Sequence, residues 1–160
     1  MYFIKNHSHS GEFNRIKSLR DPTEKMSKSA VNPLSRIELT DSEDDIRKKF
    51  KKAVTDHTSE VTFDLEKRPG VSNLISIHSA FSGLSTDEIC EQAKGMETAE
   101  YKMVVADVVN KTIAPIREQI FDIRKNPSFI EHTLDNGAER ARAIAAENFR
   151  EVKRLLGFVR

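Results

Sequence analysis

One cysteine in 160 residues, Cys90, leaves no partner for an internal disulfide and no set of thiolates for a zinc site. That scarcity fits a reducing compartment. Its place in an apolar row predicts an inert buried thiol. Net charge is equally scarce. Charged residues make up 32% of the chain but nearly cancel, at +1 overall. The chain is therefore no bulk polycation, and any nucleic-acid contact must come from local patches. No apolar run approaches 18 residues, so no membrane span is expected, and no repeat of 20–50 residues is visible. What remains is a soluble, mostly helical chain, long enough for one domain with a real core.

Residues 1–15 carry no regular period and read as an irregular leader. His7 and His9 lie close in sequence, but neither Cys nor a carboxylate cluster accompanies them, so no metal site is expected. Lys5 and Arg15 are the only basic residues there, a poor match to a transit peptide.

The stretch that carries chemistry is Lys25-Met26-Ser27-Lys28-Ser29. Two lysines three residues apart bracket one serine and precede another. Pro22 keeps the residue before it out of helical geometry, and no apolar period runs through the stretch, so a mobile surface loop is expected. Two ammonium groups with hydroxyls and main-chain N–H groups suit a polyphosphate. As a bare pattern, Lys-x-x-Lys with serines also describes an ordinary solvated loop.

Beyond Pro33 and an extended connector at Arg36–Thr40, the pattern turns helical. Ser42 is placed to cap a first helix whose acidic start and basic continuation both complement its dipole. Ile46, Phe50, Ala53 and Val54 form its apolar face, so its lysines are expected in solvent, with RNA contact the alternative. Residues 56–70 read as a loop with a brief extended piece at Val61–Phe63. A second helix over Val71–Ser82 stops at Gly83 and places His78 on its apolar stripe, as an interior histidine. Ser85-x-x-Glu88 is a capping box for a short third helix ending at Gly95. A long helix begins near Thr98 and is expected to kink at Pro115. Asn126-Pro127 opens another that ends near Gly137. A last helix, Ala138–Leu156, is expected to turn Ala141, Ile144, Ala145, Phe149, Val152 and Leu156 inward and to stop at Gly157.

Lys25–Ser29, with Ser18-Leu19-Arg20-Asp21-Pro22-Thr23 before it, resembles the second signature of class I aminoacyl-tRNA synthetases, in its tryptophanyl version. Arg68–Leu74, Ala114–Arg117 and Gly137–Arg142 resemble further stretches of the carboxy-terminal half of the tryptophanyl family. The likeness runs from about Ile16 to Phe158. Thr58–Thr62, Ser82–Ser85 and Gly95–Lys102 look closer to the mitochondrial type of animals. Two departures stand out: Ala30 occupies a position that is usually Asp, and no His-x-Gly-His signature or Gly-rich strand-to-helix turn is present.

The resemblance implies a mainly α fold: an antiparallel helical bundle preceded by the KMSKS loop. This would be a fragment of an α/β class I synthetase lacking its Rossmann-type half. The expected division is a leader at 1–15, the loop and connector at 16–40, and a helical tRNA-binding domain at 41–160. Its implied function is part of a tryptophan–tRNA ligase: ATP and tryptophan give an adenylate and pyrophosphate, and the tryptophanyl group then passes to tRNA(Trp). Lys25 and Lys28 match the lysines that hold the departing phosphates. Ser27 and Ser29 would bond phosphate oxygens or brace the loop, Met26 belongs to the same segment, and Ile16 matches a position whose backbone meets the adenine. Mg2+ would arrive with ATP, and no metal cage of the chain's own is expected. Arg140, Arg142, Lys153 and Arg154 are the RNA-facing candidates. The family is homodimeric, whereas this chain alone would be inactive and could be monomeric. The mitochondrial matrix is the expected location, with the cytoplasm as the alternative if the source is bacterial. The competing function is a non-catalytic RNA- or protein-binding module.

Overall fold

The computed structural model describes residues 16–158; His7 and His9, and the rest of the leader, lie outside them. Among the described residues the chain is mainly helical, as expected. It has five α-helices: α1 Glu43–Lys51, α2 Pro69–Ser82, α3 Thr86–Gln92, α4 Thr98–Arg124 and α5 Pro127–Leu155, with a 3-10 turn at Pro33–Ser35. The only β-pairing among them is an isolated antiparallel bridge between Lys17 and Lys25. Val61–Phe63, expected to be extended, is assigned no strand. The fold divides into two compact units, one ending at Arg117 and the other running from Glu118.

The first unit holds the core. Local signals start its helices where the sequence places them. The Ser42 side chain accepts from the Asp45 N–H, and Ser85 with Glu88 forms the reciprocal capping box. Gly83 ends α2 at φ 78°, a left-handed conformation that a β-carbon would strain. Leu19, Ile46, Phe50, Val71, Leu74, Ile75, Ile89, Tyr101, Val105 and Val109 are almost wholly buried together. Truncating an aromatic such as Phe50 to Ala in such a core costs about 3–5 kcal/mol, from lost transfer and the cavity left behind. At Gly70 an added methyl would lie well inside contact distance of the Val54 carbonyl oxygen, so the start of α2 packs directly on backbone.

Residues 56–64 have no ladder of their own, so their peptide groups depend on side chains from the helices. Arg68, buried, binds Asp56 side-on (Nε and Nη2 at 2.9–3.2 Å). It also donates to the Glu60 carbonyl at 2.6 Å, Thr62 Oγ1 at 2.7 Å and the Thr58 carbonyl at 2.9 Å. Thr98, at the start of α4, bonds the Ser59 carbonyl through both its N–H (2.7 Å) and its hydroxyl (2.9 Å). His78 is buried as expected, with Nδ1 3.2 Å from the Tyr101 hydroxyl. Cys90 is half-buried, and burial raises its pKa.

Three expectations are corrected. The α1 lysines are not all solvated: Lys49 is buried and pairs with Asp41 at 2.5 Å, while Lys48 and Lys51 are exposed. The helices expected on either side of Gly137 are one helix. The Gly penalty of about 1 kcal/mol is small against continuous propagation through good formers on both sides. Nor does α5 turn its apolar residues inward: none is buried, and Ile144, Phe149, Val152 and Leu156 are 47–69% exposed. The helix α4 continues through Pro115, which removes the one N–H that would reach the Lys111 carbonyl.

Replacing Arg68 by Met is expected to cost about 1–3 kcal/mol, since the Thr58 and Glu60 carbonyls and Asp56 lose a charged donor. Urea denaturation of the variant measures this; a loss below about 1 kcal/mol would refute the role given to Arg68. Burial lowers the His78 pKa below its ordinary 6.5, so the unfolded chain takes up its proton first on acidification. Stability should therefore fall as pH drops below about 6.5 and level off below the folded pKa. His78→Gln should flatten that segment of the melting-temperature profile, and an unchanged slope would exclude His78 as its source.

Candidate functional site

The Lys25–Ser29 loop is built from the main chain outward. The Met26 N–H donates to the Ile16 carbonyl at 3.0 Å, and the Ser18 N–H to the Glu24 carbonyl at 3.0 Å, closing a narrow antiparallel loop around Asp21-Pro22-Thr23. Asp21 caps that turn, accepting at Oδ1 from the Thr23 N–H (2.9 Å) and hydroxyl (2.6 Å). Those bonds hold its carboxyl below the usual range. A second turn follows, closed by the Ala30 N–H on the Ser27 carbonyl at 3.2 Å.

Helix α2 carries the anchor. The Asn73 side-chain amide takes the Lys17 N–H at Oδ1 (2.8 Å) and donates from Nδ2 to the Lys17 carbonyl (3.0 Å). Asn73 thus treats one residue of the loop as a neighbouring strand would, and its own burial leaves it no solvent alternative. Leu19 inserts into the core, its N–H bonded to the Ser35 carbonyl at 2.9 Å and its carbonyl to the Val54 N–H at 2.8 Å. Arg20 donates through Nη1 to the Lys52 carbonyl at the end of α1. Arg36 grips the far end, with Nη1 on the Ala30 carbonyl at 2.8 Å and Nε on Glu38 at 2.8 Å.

These contacts place the expected residues unequally. Lys25 and Lys28 are both exposed, and among the described residues neither has a carboxylate within 4 Å. Lys25 lies in the bridge to Lys17, and Lys28 at the second turn. Ser27 and Ser29 face each other, Oγ to Oγ 3.1 Å, so the hydroxyls brace one another across Lys28. Met26 packs against the core and fixes the loop from below. The Ile16 carbonyl already accepts from Met26, so one of its lone pairs is used within the loop. The arrangement is a pinned base carrying two unpaired ammonium groups. It suits an anion that arrives with several oxygens.

Sequence reasoning missed Asn73, Arg36 and Ser35 as positioning residues. Asn73 did lie in one of the family-like stretches, Arg68–Leu74; Arg36 and Ser35 carried no signal, because their partners are main-chain groups of the loop.

The RNA candidates lie on α5. With 100° per residue, Arg140 and Arg154 fall along one edge of the helix and Arg142 and Lys153 along the other, so the four do not converge on one point. Arg154 is held by Glu151 at 2.7 Å, and Lys153 sits 4.6 Å from the Phe149 ring centroid. Arg140 and Arg142 are exposed.

Comparison with known proteins places the chain in a family. The family model described as "tRNA synthetases class I (W and Y)" matches residues 4–114. Tryptophan–tRNA ligase of Caldanaerobacter subterraneus subsp. tengcongensis is 42% identical over 145 residues, covering 91% of this chain and 44% of the relative. The mitochondrial tryptophan–tRNA ligase of Caenorhabditis elegans is 42% identical over 145 residues, covering 91% and 39%. Among solved structures, tryptophanyl-tRNA synthetase of Campylobacter jejuni complexed with ADP and tryptophane superposes with a TM-score of 0.68 at 26% identity, over 89% of this chain and 43% of that one. The Mycoplasma pneumoniae enzyme gives 0.67 at 26%, over 90% and 45%. The chain thus spans less than half the length of these relatives. On these grounds the chain belongs to the class I tRNA synthetases that handle tryptophan and tyrosine, with the relatives named here all of the tryptophan kind.

Proposed function

We propose that this chain supplies the ATP-closing loop and the tRNA-reaching helical part of a tryptophan–tRNA ligase. The observation that supports this most is the pinned loop itself. Asn73, Ser35, Arg20 and Arg36 hold its base, while the Lys25 and Lys28 ammonium groups are left without a protein counter-ion among the described residues. Two lysines left without a protein counter-ion on a fixed loop are available to a polyphosphate, which provides the negative charge that they lack.

In the proposed reaction the tryptophan carboxylate attacks the α-phosphorus of ATP and the bond to the bridging oxygen breaks. Charge builds on the departing pyrophosphate. Lys25 and Lys28 would meet that charge, and an interaction that strengthens on the way to the transition state raises the rate rather than the affinity. Ser27 and Ser29 would add hydroxyl donors to the same oxygens, or keep Lys28 at the turn. Ile16 would meet the adenine through its main chain. Mg2+ would travel with the nucleotide.

The tryptophanyl group would then pass to tRNA(Trp), whose single-stranded bases require stacking surfaces as well as charge. The compartment we propose is the mitochondrial matrix, on the stretches that look mitochondrial in type and the likeness to the nematode enzyme. Equal identity to a bacterial enzyme leaves the bacterial cytoplasm as the alternative.

In the full-length protein, Lys28→Ala should slow adenylate formation by about a hundredfold, on the order of 3 kcal/mol, with tryptophan affinity nearly unchanged. Single-turnover pyrophosphate release measures this, and an unaltered rate would remove Lys28 from the mechanism. For tRNA, neutralising Arg140, Arg142, Lys153 and Arg154 together should weaken binding and flatten its salt dependence, by at most about 0.7–0.9 of a logarithmic unit for each phosphate no longer engaged. A folded quadruple variant with the parental affinity and slope would make α5 a merely solvated face.

A further inference from the structure

We infer that the groove between α1 and α4 is a seat for a backbone phosphate of RNA, formed by Lys111 and Arg117. The inference rests on the proposed RNA-binding role and adds a place to it, separate from the α5 residues. The groove is lined by Glu43 and Arg47 from α1 and by Asp107, Asn110, Lys111, Ala114 and Arg117 from α4, around about 280 Å³. That is slightly below the usual range for drug-sized ligands, about 300–1,000 Å³. The α4 residues recur at helical spacing and so share one face, with the small Ala114 lying between Lys111 and Arg117.

The charges of the groove are sorted. Arg47 takes both acids, with Nη2 2.7 Å from Asp107 and 3.2 Å from Glu43. That pairing occupies the acidic end and leaves the cations at the other end uncompensated. Lys111 is exposed and, among the described residues, has no carboxylate within 4 Å. Arg117 is half-buried, and its Nε is a buried N–H without an acceptor. Its only side-chain bond among the described residues is a long one, Nη2 to Asn110 Oδ1 at 3.4 Å. Asn110 is itself buried and tied to the Glu43 carbonyl at 3.4 Å, so the guanidinium rests on a fixed support.

The guanidinium of Arg117, which lines the groove, offers its Nη groups to the oxygens of one tetrahedral anion, and Lys111 adds a point charge beside it. A phosphate in an RNA backbone meets that pair and leaves its sugar and base outside the groove. Arg47 is excluded from the seat because its fork is already occupied.

The test uses an unmodified tRNA(Trp) transcript and the full chain at two salt concentrations. Lys111→Ala is on an exposed position and keeps the core intact, and Arg117→Lys keeps the charge while removing the paired Nη donors. The double variant Lys111→Ala/Arg117→Gln should bind at least about tenfold more weakly at low salt, since bonds to a charged group are lost. The salt slope should fall by about 0.7–0.9. Arg117→Lys should lose affinity while holding most of the slope. A control of equal charge change, Lys67→Ala/Lys94→Ala, should leave both nearly unchanged.

If the folded double variant binds like the parent while the α5 quadruple variant does not, the groove inference is overturned and the RNA role stands. If the control loses as much as the double variant, the effect is one of general charge and the seat is again overturned. If inorganic phosphate alone shifts the Lys111 and Arg117 amide resonances while the transcript does not, the groove takes free anions and the RNA assignment fails. If no variant and no parent binds the transcript, the RNA role and the seat fall together.

Discussion

The candidate site depends on one side-chain amide. Asn73 pairs with both main-chain groups of Lys17 and so joins an irregular segment to α2, a helix buried along most of its length. Around it, Leu19 enters the core and the Ser18–Glu24 and Ile16–Met26 bonds close the loop. Without Asn73 those bonds would still form a loop, and Leu19 would still enter the core, but among the described residues no hydrogen bond from α2 would reach the loop's base. Burial makes the interaction strict on the side of Asn73, whose amide has little water to turn to.

The same device recurs wherever the chain leaves regular structure. Arg68 serves residues 56–62 from the start of α2, Thr98 serves the same segment from the start of α4, and Arg36 serves the end of the lysine loop. A chain with so little β-structure cannot satisfy its connecting segments by ladders, so polar side chains from helices do it instead. The lysines that carry the proposed chemistry are placed by groups that never approach the ligand. A loop fixed this way presents Lys25 and Lys28 with part of the ordering cost already met by the fold.

The helical elements were legible in the sequence because their signals are local. Ser42, the Ser85–Glu88 box, Gly83 and Asn126-Pro127 act within one turn of themselves, and each stands where the sequence placed it. Within α4, Tyr101, Val105, Val109 and Ile113 recur at helical spacing and are buried. Gly137 misled because a weak breaker was weighed without the strength of its flanks. The α5 stripe misled because a period shows that a face exists and says nothing about whether a partner covers it. Lys49 misled for a related reason: its partner, Asp41, lies eight residues back, beyond any helical register.

From the sequence alone came the helical class and the tryptophanyl-type family, carried by residues that act on near neighbours or by contiguous motifs; the chemical role proposed for the lysine loop started from the same motifs. Tertiary structure alone decided what fixes that loop and which cations are left unpaired. Asn73 is 56 residues from Lys17 and Asp107 is 60 from Arg47, and no pattern of period or spacing links positions so far apart. The pairing of Arg47 with both acids, which leaves Lys111 and Arg117 uncompensated, exists only once α1 and α4 lie side by side. Neighbour-limited forces write helices and caps into a sequence, whereas charge pairing and burial depend on distances that only the folded chain sets.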